Sequence, residues 1–181
     1  GVRLVVTERM SLGYGLTQAA VSVGLFGFLT TVQPAFEVTF KRPDLLPLGF
    51  ALMASGMAVS SLLNAAIVRR YGMRKIGHLA MFWFTGMAAL HWLIARSGHE
   101  TLTTFIVLQM LMMMGFSLMA GNFGAMAMEK VGSVAGMASS IQGFFSNIVG
   151  AVLGTVVGRS FDGTLAPLYA SFVMGGLACI L

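Results

Sequence analysis

The eleven lysines and arginines of this chain gather at or near the junctions between six long apolar stretches, and they are heavier at every second junction. The stretches cover residues 12–36, 45–68, 76–95, 102–128, 134–157 and 165–181, and most have the roughly 20 residues a helix needs to cross about 30 Å of hydrocarbon. The pattern predicts an all-α, polytopic membrane protein of six transmembrane helices in one unit, 1–181. With the start of the chain in the cytoplasm, Arg3, Arg9, Arg69, Arg70, Arg74, Lys75 and Lys130 lie inside, against Lys41, Arg42, Arg96 and Arg159 outside. Seven against four favours that orientation. The six acids place Glu8 and Glu129 inside, and Glu37, Asp44, Glu100 and Asp162 outside, so the formal charge of +5 falls on the inner face.

Composition points the same way. With 57% hydrophobic and 9% charged residues, a soluble domain would lack polar surface. The basic residues sit in short loops beside lipid head groups and not on one helix or sheet face, so the chain is read as a partner of the bilayer and not of nucleic acid. Cys179 stands alone and forms no internal disulfide; a lone Cys in an apolar span acts as a small packing residue. The chain begins at Gly1, shows no secretory signal pattern, and ends at Leu181 inside an apolar run. A last helix that is incomplete, in a piece of a longer protein, is the expectation.

Loops are short. Pro34, Pro43 and Pro47 punctuate the first outside connection, and Pro47 suits the first turn of the second helix. The inside connection between the second and third spans, Val68-Arg69-Arg70-Tyr71-Gly72-Met73-Arg74-Lys75, sets a glycine among basic residues, which permits a tight turn with positive φ. Such a loop is at least a basic anchor. It also resembles the second copy of the G-x-x-x-D-R-x-G-R-R loop motif of the major facilitator superfamily. Arg70, Gly72 and Arg74 match, whereas Ala65, Arg69 and Met73 stand where the motif has glycine, aspartate and arginine.

A second stretch is more particular: Asn122-Phe123-Gly124-Ala125-Met126-Ala127-Met128-Glu129, followed by Ala135-Gly136-Met137-Ala138-Ser139-Ser140. It resembles the tenth-to-eleventh helix region of Bcr/CflA-type multidrug efflux transporters, with Lys130 in place of a proline. The resemblance implies helices seven to twelve of a twelve-helix, proton-coupled antiporter in a bacterial inner membrane. A missing N-terminal half, a small-molecule substrate and the lipid bilayer are the implied partners. Arg70, Gly72, Arg74 and Glu129 would then belong to a cytoplasmic gate.

Polarity differs between spans. At 100° per residue, Gln18, Ser22, Phe26, Leu29 and Gln33 fall within an arc of about 80° on the first span. The second offers Asn64, the fourth Gln109 and Met113, the fifth Ser139, Gln142 and Ser146. These residues are the candidate lining of a substrate cavity, while spans three and six are expected to be lipid-facing or structural. Each polar residue has the alternative role of an interhelical bond worth roughly 0.6 kcal/mol. Gln18 and Gln142 are singled out because a long amide at bilayer depth needs water, substrate or a partner. Gly150, Gly154 and Gly158 form a small-xxx-small ridge for helix packing.

No acid falls in the middle of a span, His78 and His99 sit at span edges, and His91 is read as an interfacial residue beside Trp92. Proton-coupling residues are therefore expected outside this chain, and the four outer acids are expected to be solvated. No phosphate-binding GxxxxGK[ST] loop occurs. Neither cofactor nor metal is expected, and the chain is not read as an enzyme: an intramembrane protease would need a Gly after Ser117 and a histidine at depth. A self-contained six-helix protein that homodimerises as a transporter or scaffold remains the alternative.

The charge bias yields a direct test. In a Cys179→Ser background, Met73→Cys should resist an impermeant thiol reagent applied from outside the cell; labelling from that side would reverse the topology.

Overall fold

The computed structural model describes residues 7–180, the side chain of residue 180 excepted. Arg3 of the charge tally and Leu181 of the sixth stretch lie outside the described residues. Among the described residues six α-helices follow one another: α1 (Arg9–Pro34), α2 (Leu46–Tyr71), α3 (Met73–Ser97), α4 (Leu102–Met128), α5 (Ala135–Arg159) and α6 (Ala166–Ile180). No strand occurs among the described residues. The first five are 25 to 27 residues long. At 1.5 Å per residue that is about 37–40 Å, more than the hydrocarbon core requires.

Local chemistry sets the helix ends. The Glu8 carboxylate accepts from the Ser11 amide at 2.7 Å and caps α1. Thr101 and Thr104 form a reciprocal capping box at the start of α4. Gly72, at φ +80°, joins α2 to α3 with no intervening loop, and Gly98, at φ +72°, ends α3. Both conformations favour a residue without Cβ. Pro47 lies in the first turn of α2.

Pro34 departs from the expectation that it marks the first outside connection. It lies within the helix, which continues as a π turn over Ala35–Thr39. A proline removes one backbone donor and crowds the preceding turn, and widening the following turn restores the ladder: the Phe40 amide donates to the Ala35 carbonyl at 3.0 Å. The chain then turns at Lys41 and re-enters through a short 3₁₀ turn, Pro43–Leu45.

α4 is central and packs against α1, α2 and α3. α1 pairs most extensively with α5, and α3 pairs with α6. Small residues permit the close crossings. A Cβ placed on Gly56 of α2 would collide with the Met110 carbonyl of α4, and one on Gly176 of α6 with Thr85 Oγ1 of α3. Gly150, Gly154 and Gly158 of α5 face α1, where added Cβ atoms would meet Phe26, the backbone at Phe26 and Gly27, and Thr30. α2 and α5 bury the least, and large apolar side chains such as Leu62 and Phe144 are exposed at 76% and 70%. In a bilayer that surface faces lipid or other helices, not water.

The crossing of α5 on α1 is therefore sensitive to volume. Gly154→Val would drive a side chain into backbone at 2.9 Å and should lower stability by roughly 1–3 kcal/mol. Gly143→Ala, with nothing within 4 Å of the new Cβ, should leave the melting temperature in detergent unchanged or raised.

Candidate functional site

The polar residues expected to line one cavity are distributed over three places. The first is the α1–α5 seam. The Gln142 amide of α5 donates to Ser11 Oγ of α1 at 2.8 Å and to the Ser11 carbonyl at 3.3 Å, so this amide ties two helices together. Ser22 and Phe26 lie farther along the same seam, against Gly150. Gln18 Oε1 and Ser146 Oγ are buried without a hydrogen-bond partner among the described residues. Ser139 is exposed and bonds only its own helix, to the Gly136 carbonyl. Gln33 is exposed and donates to Glu37 Oε1 at 2.9 Å.

The second place is the α2–α4 crossing. Asn122 Nδ2 donates to Asn64 Oδ1 at 2.9 Å, and Ser117 Oγ to the Met57 carbonyl at 3.3 Å. Asn64 thus has a partner in α4, one that the resemblance had placed only in a motif.

The third place lies where α3, α4 and α6 meet. Gln109 and Met113, expected to line a substrate cavity, are both buried in the bundle, and Gln109 Oε1 accepts from the Tyr169 hydroxyl of α6 at 3.1 Å. His91, expected at the interface, is fully buried: its ring stacks on Tyr169 with centroids 3.7 Å apart. Its Nε2 lies 2.7 Å from Glu100 Oε1, with the Glu100 side chain only 7% exposed. Glu100 is therefore not a solvated loop acid. The Gly98 turn reverses the chain, and the capped start of α4 brings Glu100 back over the last turns of α3. That turn, followed by Thr101-x-x-Thr104, is the sequence signal for the reversal; nothing in the pattern announces Tyr169 as the lid. Phe105, Phe36 and Phe40 form edge and tilted ring contacts beside the pair.

A partly open apolar cavity of about 340 Å³ lies among α1, α3, α4, α5 and α6, with Leu16, Gly24, Phe84, Phe116 and Phe172 in its walls. None of the ten candidate cavity residues lines it.

At the Gly72 end, Arg70 and Lys75 lie over the Tyr71 ring at 5.5 and 5.9 Å. Arg74 is exposed, with its carbonyl 2.7 Å from His78 Nδ1. Glu129 is the C-cap of α4. Among the described residues the contacts between basic and acidic side chains are Arg42–Asp44 and the imidazole–carboxylate contact His91–Glu100, so Glu129 is not paired with Arg70 or Arg74. Asp162, between α5 and α6, accepts from the Thr164 hydroxyl at 2.7 Å and amide at 3.0 Å, which holds its carboxyl below the usual range. No group of three or more potential metal ligands occurs among the described residues.

The α4–α6 hydrogen bond can be weighed by substitution. Tyr169→Phe leaves Gln109 Oε1 buried and unpaired, which should cost about 1–3 kcal/mol and appear as a lower melting temperature in detergent. The exposed Tyr71→Phe should show no such loss.

No family model matches the chain, and no solved structure matches it. It is 24% identical over 179 residues to an uncharacterized MFS-type transporter, YdgK, of Bacillus subtilis (strain 168), covering 94% of this chain and 43% of that protein. The chain thus spans less than half the length of the curated relative it matches. With its six-helix bundle, it is consistent with half of a major facilitator transporter.

Proposed function

We propose that the chain is the C-terminal half of a secondary active transporter of the Bcr/CflA type that expels drugs or other small lipophilic compounds from a bacterial cell in exchange for protons. The observation that carries transport is the near full-length similarity to under half of an MFS-type transporter. An N-terminal half would complete it, laid against the faces of α2 and α5 that this bundle leaves exposed. A homodimer of six-helix chains is the lesser reading, because it leaves the remainder of the relative's length without a counterpart.

On this reading the α1–α5 seam contributes to the substrate path. Gln18 Oε1 and Ser146 Oγ lack partners among the described residues, and a buried polar atom without a partner is costly unless water or substrate meets it. One acceptor and one hydroxyl in apolar surroundings suit a lipophilic molecule carrying an N–H or O–H group. At the inner end of the bundle, basic residues around the Gly72 turn face the cytoplasm and, with Glu129, form the inner gate.

In the full-length transporter, Gln18→Leu should change the order of preference among substrates while expression stays near wild type. Equal loss for every substrate together with loss of folded protein would make the amide a packing element. Glu129→Gln should slow turnover several-fold with substrate affinity retained; unchanged turnover would remove Glu129 from the gate.

A further inference from the structure

Glu100 is the one acid whose carboxylate is withdrawn among helices and paired with a buried imidazole. We propose that His91 and Glu100 together form a binding site for a single exchangeable proton, loaded from the outer side, within this half of the transporter. The inference rests on the reading of the chain as part of a proton-driven transporter, and it relocates part of the proton chemistry into a region where the sequence promised none.

The geometry supplies the argument. Nε2 and Oε1 are 2.7 Å apart, with side-chain exposures of 0% and 7%. A neutral imidazole donating from Nε2 leaves one net negative charge in apolar surroundings; one added proton removes it. No lysine or arginine pairs with Glu100 among the described residues. α4 carries no acid, no lysine, no arginine and no histidine, and neither does α6. The group that α6 contributes is the Tyr169 ring, whose hydroxyl is committed to Gln109. On α3, Arg96 is exposed and lies over Trp92 at 5.4 Å. In the turn, His99 is exposed, with Nδ1 3.2 Å from Ser97 Oγ. From the end of α1, Glu37 is engaged by Gln33, and beyond it Lys41 is exposed and Arg42 holds Asp44. Asp162, which precedes α6, is bound by Thr164.

The step is simple in its balance. A hydronium ion on the outer side gives its proton to the pair and becomes water, and the proton later returns to water by the same O–H exchange. No bond between heavier atoms changes. Loading also changes what holds the bundle. The turn carrying Glu100, the end of α3 and the lid residue Tyr169 meet at this point, so the charge of the pair acts on the contact between the α3–α4 hairpin and α6. The site would sense the outer pH where the helices have to move.

The test counts protons in the purified full-length transporter. An acid pulse is applied in weak buffer with a pH-indicator dye, between about pH 8 and 5, where an imidazole ordinarily changes charge. Wild type should take up about one proton more per molecule than Glu100→Gln. The double variant His91→Gln/Glu100→Gln should lose that same single proton and not two. His91→Gln alone, which retains the carboxylate, should displace the uptake midpoint by about one pH unit or more, and it serves as the readout where Glu100→Gln fails to fold. Wild-type uptake by folded Glu100→Gln, loss of two protons in the double variant, or an unmoved midpoint in His91→Gln would each overturn the site. Substrate binding by wild type is measured on the same sample. Its absence would sink the transporter reading while leaving the proton count to stand by itself.

Discussion

Hydrocarbon offers no hydrogen bonds, and the architecture follows from that. Every backbone donor and acceptor inside the bilayer has to be satisfied within its own segment, which leaves helices as the means of crossing for a chain of this composition. Where the helix is disturbed, the repair is local: beyond Pro34 the chain widens into a π turn and does not expose its carbonyls. Turns are confined to the ends, and two of them rest on glycines at positive φ.

The same constraint governs side chains. Lipid competes with apolar side chains as well as another helix does, so association depends on close packing and on polar pairs. The two devices are divided between helix pairs. α5 meets α1 through a glycine ridge reinforced at one end by Gln142 and Ser11. α3, α4 and α6 meet through His91, Glu100, Tyr169 and Gln109. The first contact is extensive and close, with buried polar atoms among its glycines. The second is a polar knot at one end, which has to be kept or broken as a unit because each member loses its partner when another leaves.

This division bears on transport. Separating a buried imidazole–carboxylate contact is costly unless its charge is removed first. On the proposed proton site, a proton-dependent hold at α3 and α6 would give a transporter a gated side within one six-helix unit.

The sequence by itself determined the class of the protein. Apolar runs of spanning length, basic residues at alternate junctions and too little polar surface for water together specify a six-helix membrane bundle, because these are properties of transfer between water and lipid and need no knowledge of neighbours. The Gly72 turn and the packing character of Gly150, Gly154 and Gly158 were likewise legible, since they depend on backbone conformation and on volume. Which way a polar residue faces was not. Gln109 and Gln142 look alike as amides in apolar helices, yet one is enclosed under Tyr169 and the other bridges to Ser11. Glu100 looked like a loop acid until the Gly98 reversal laid it over His91. Helical periodicity gives the angle of a side chain about its own axis, but only the placement of the other helices decides whether that direction meets lipid, a cavity or a partner.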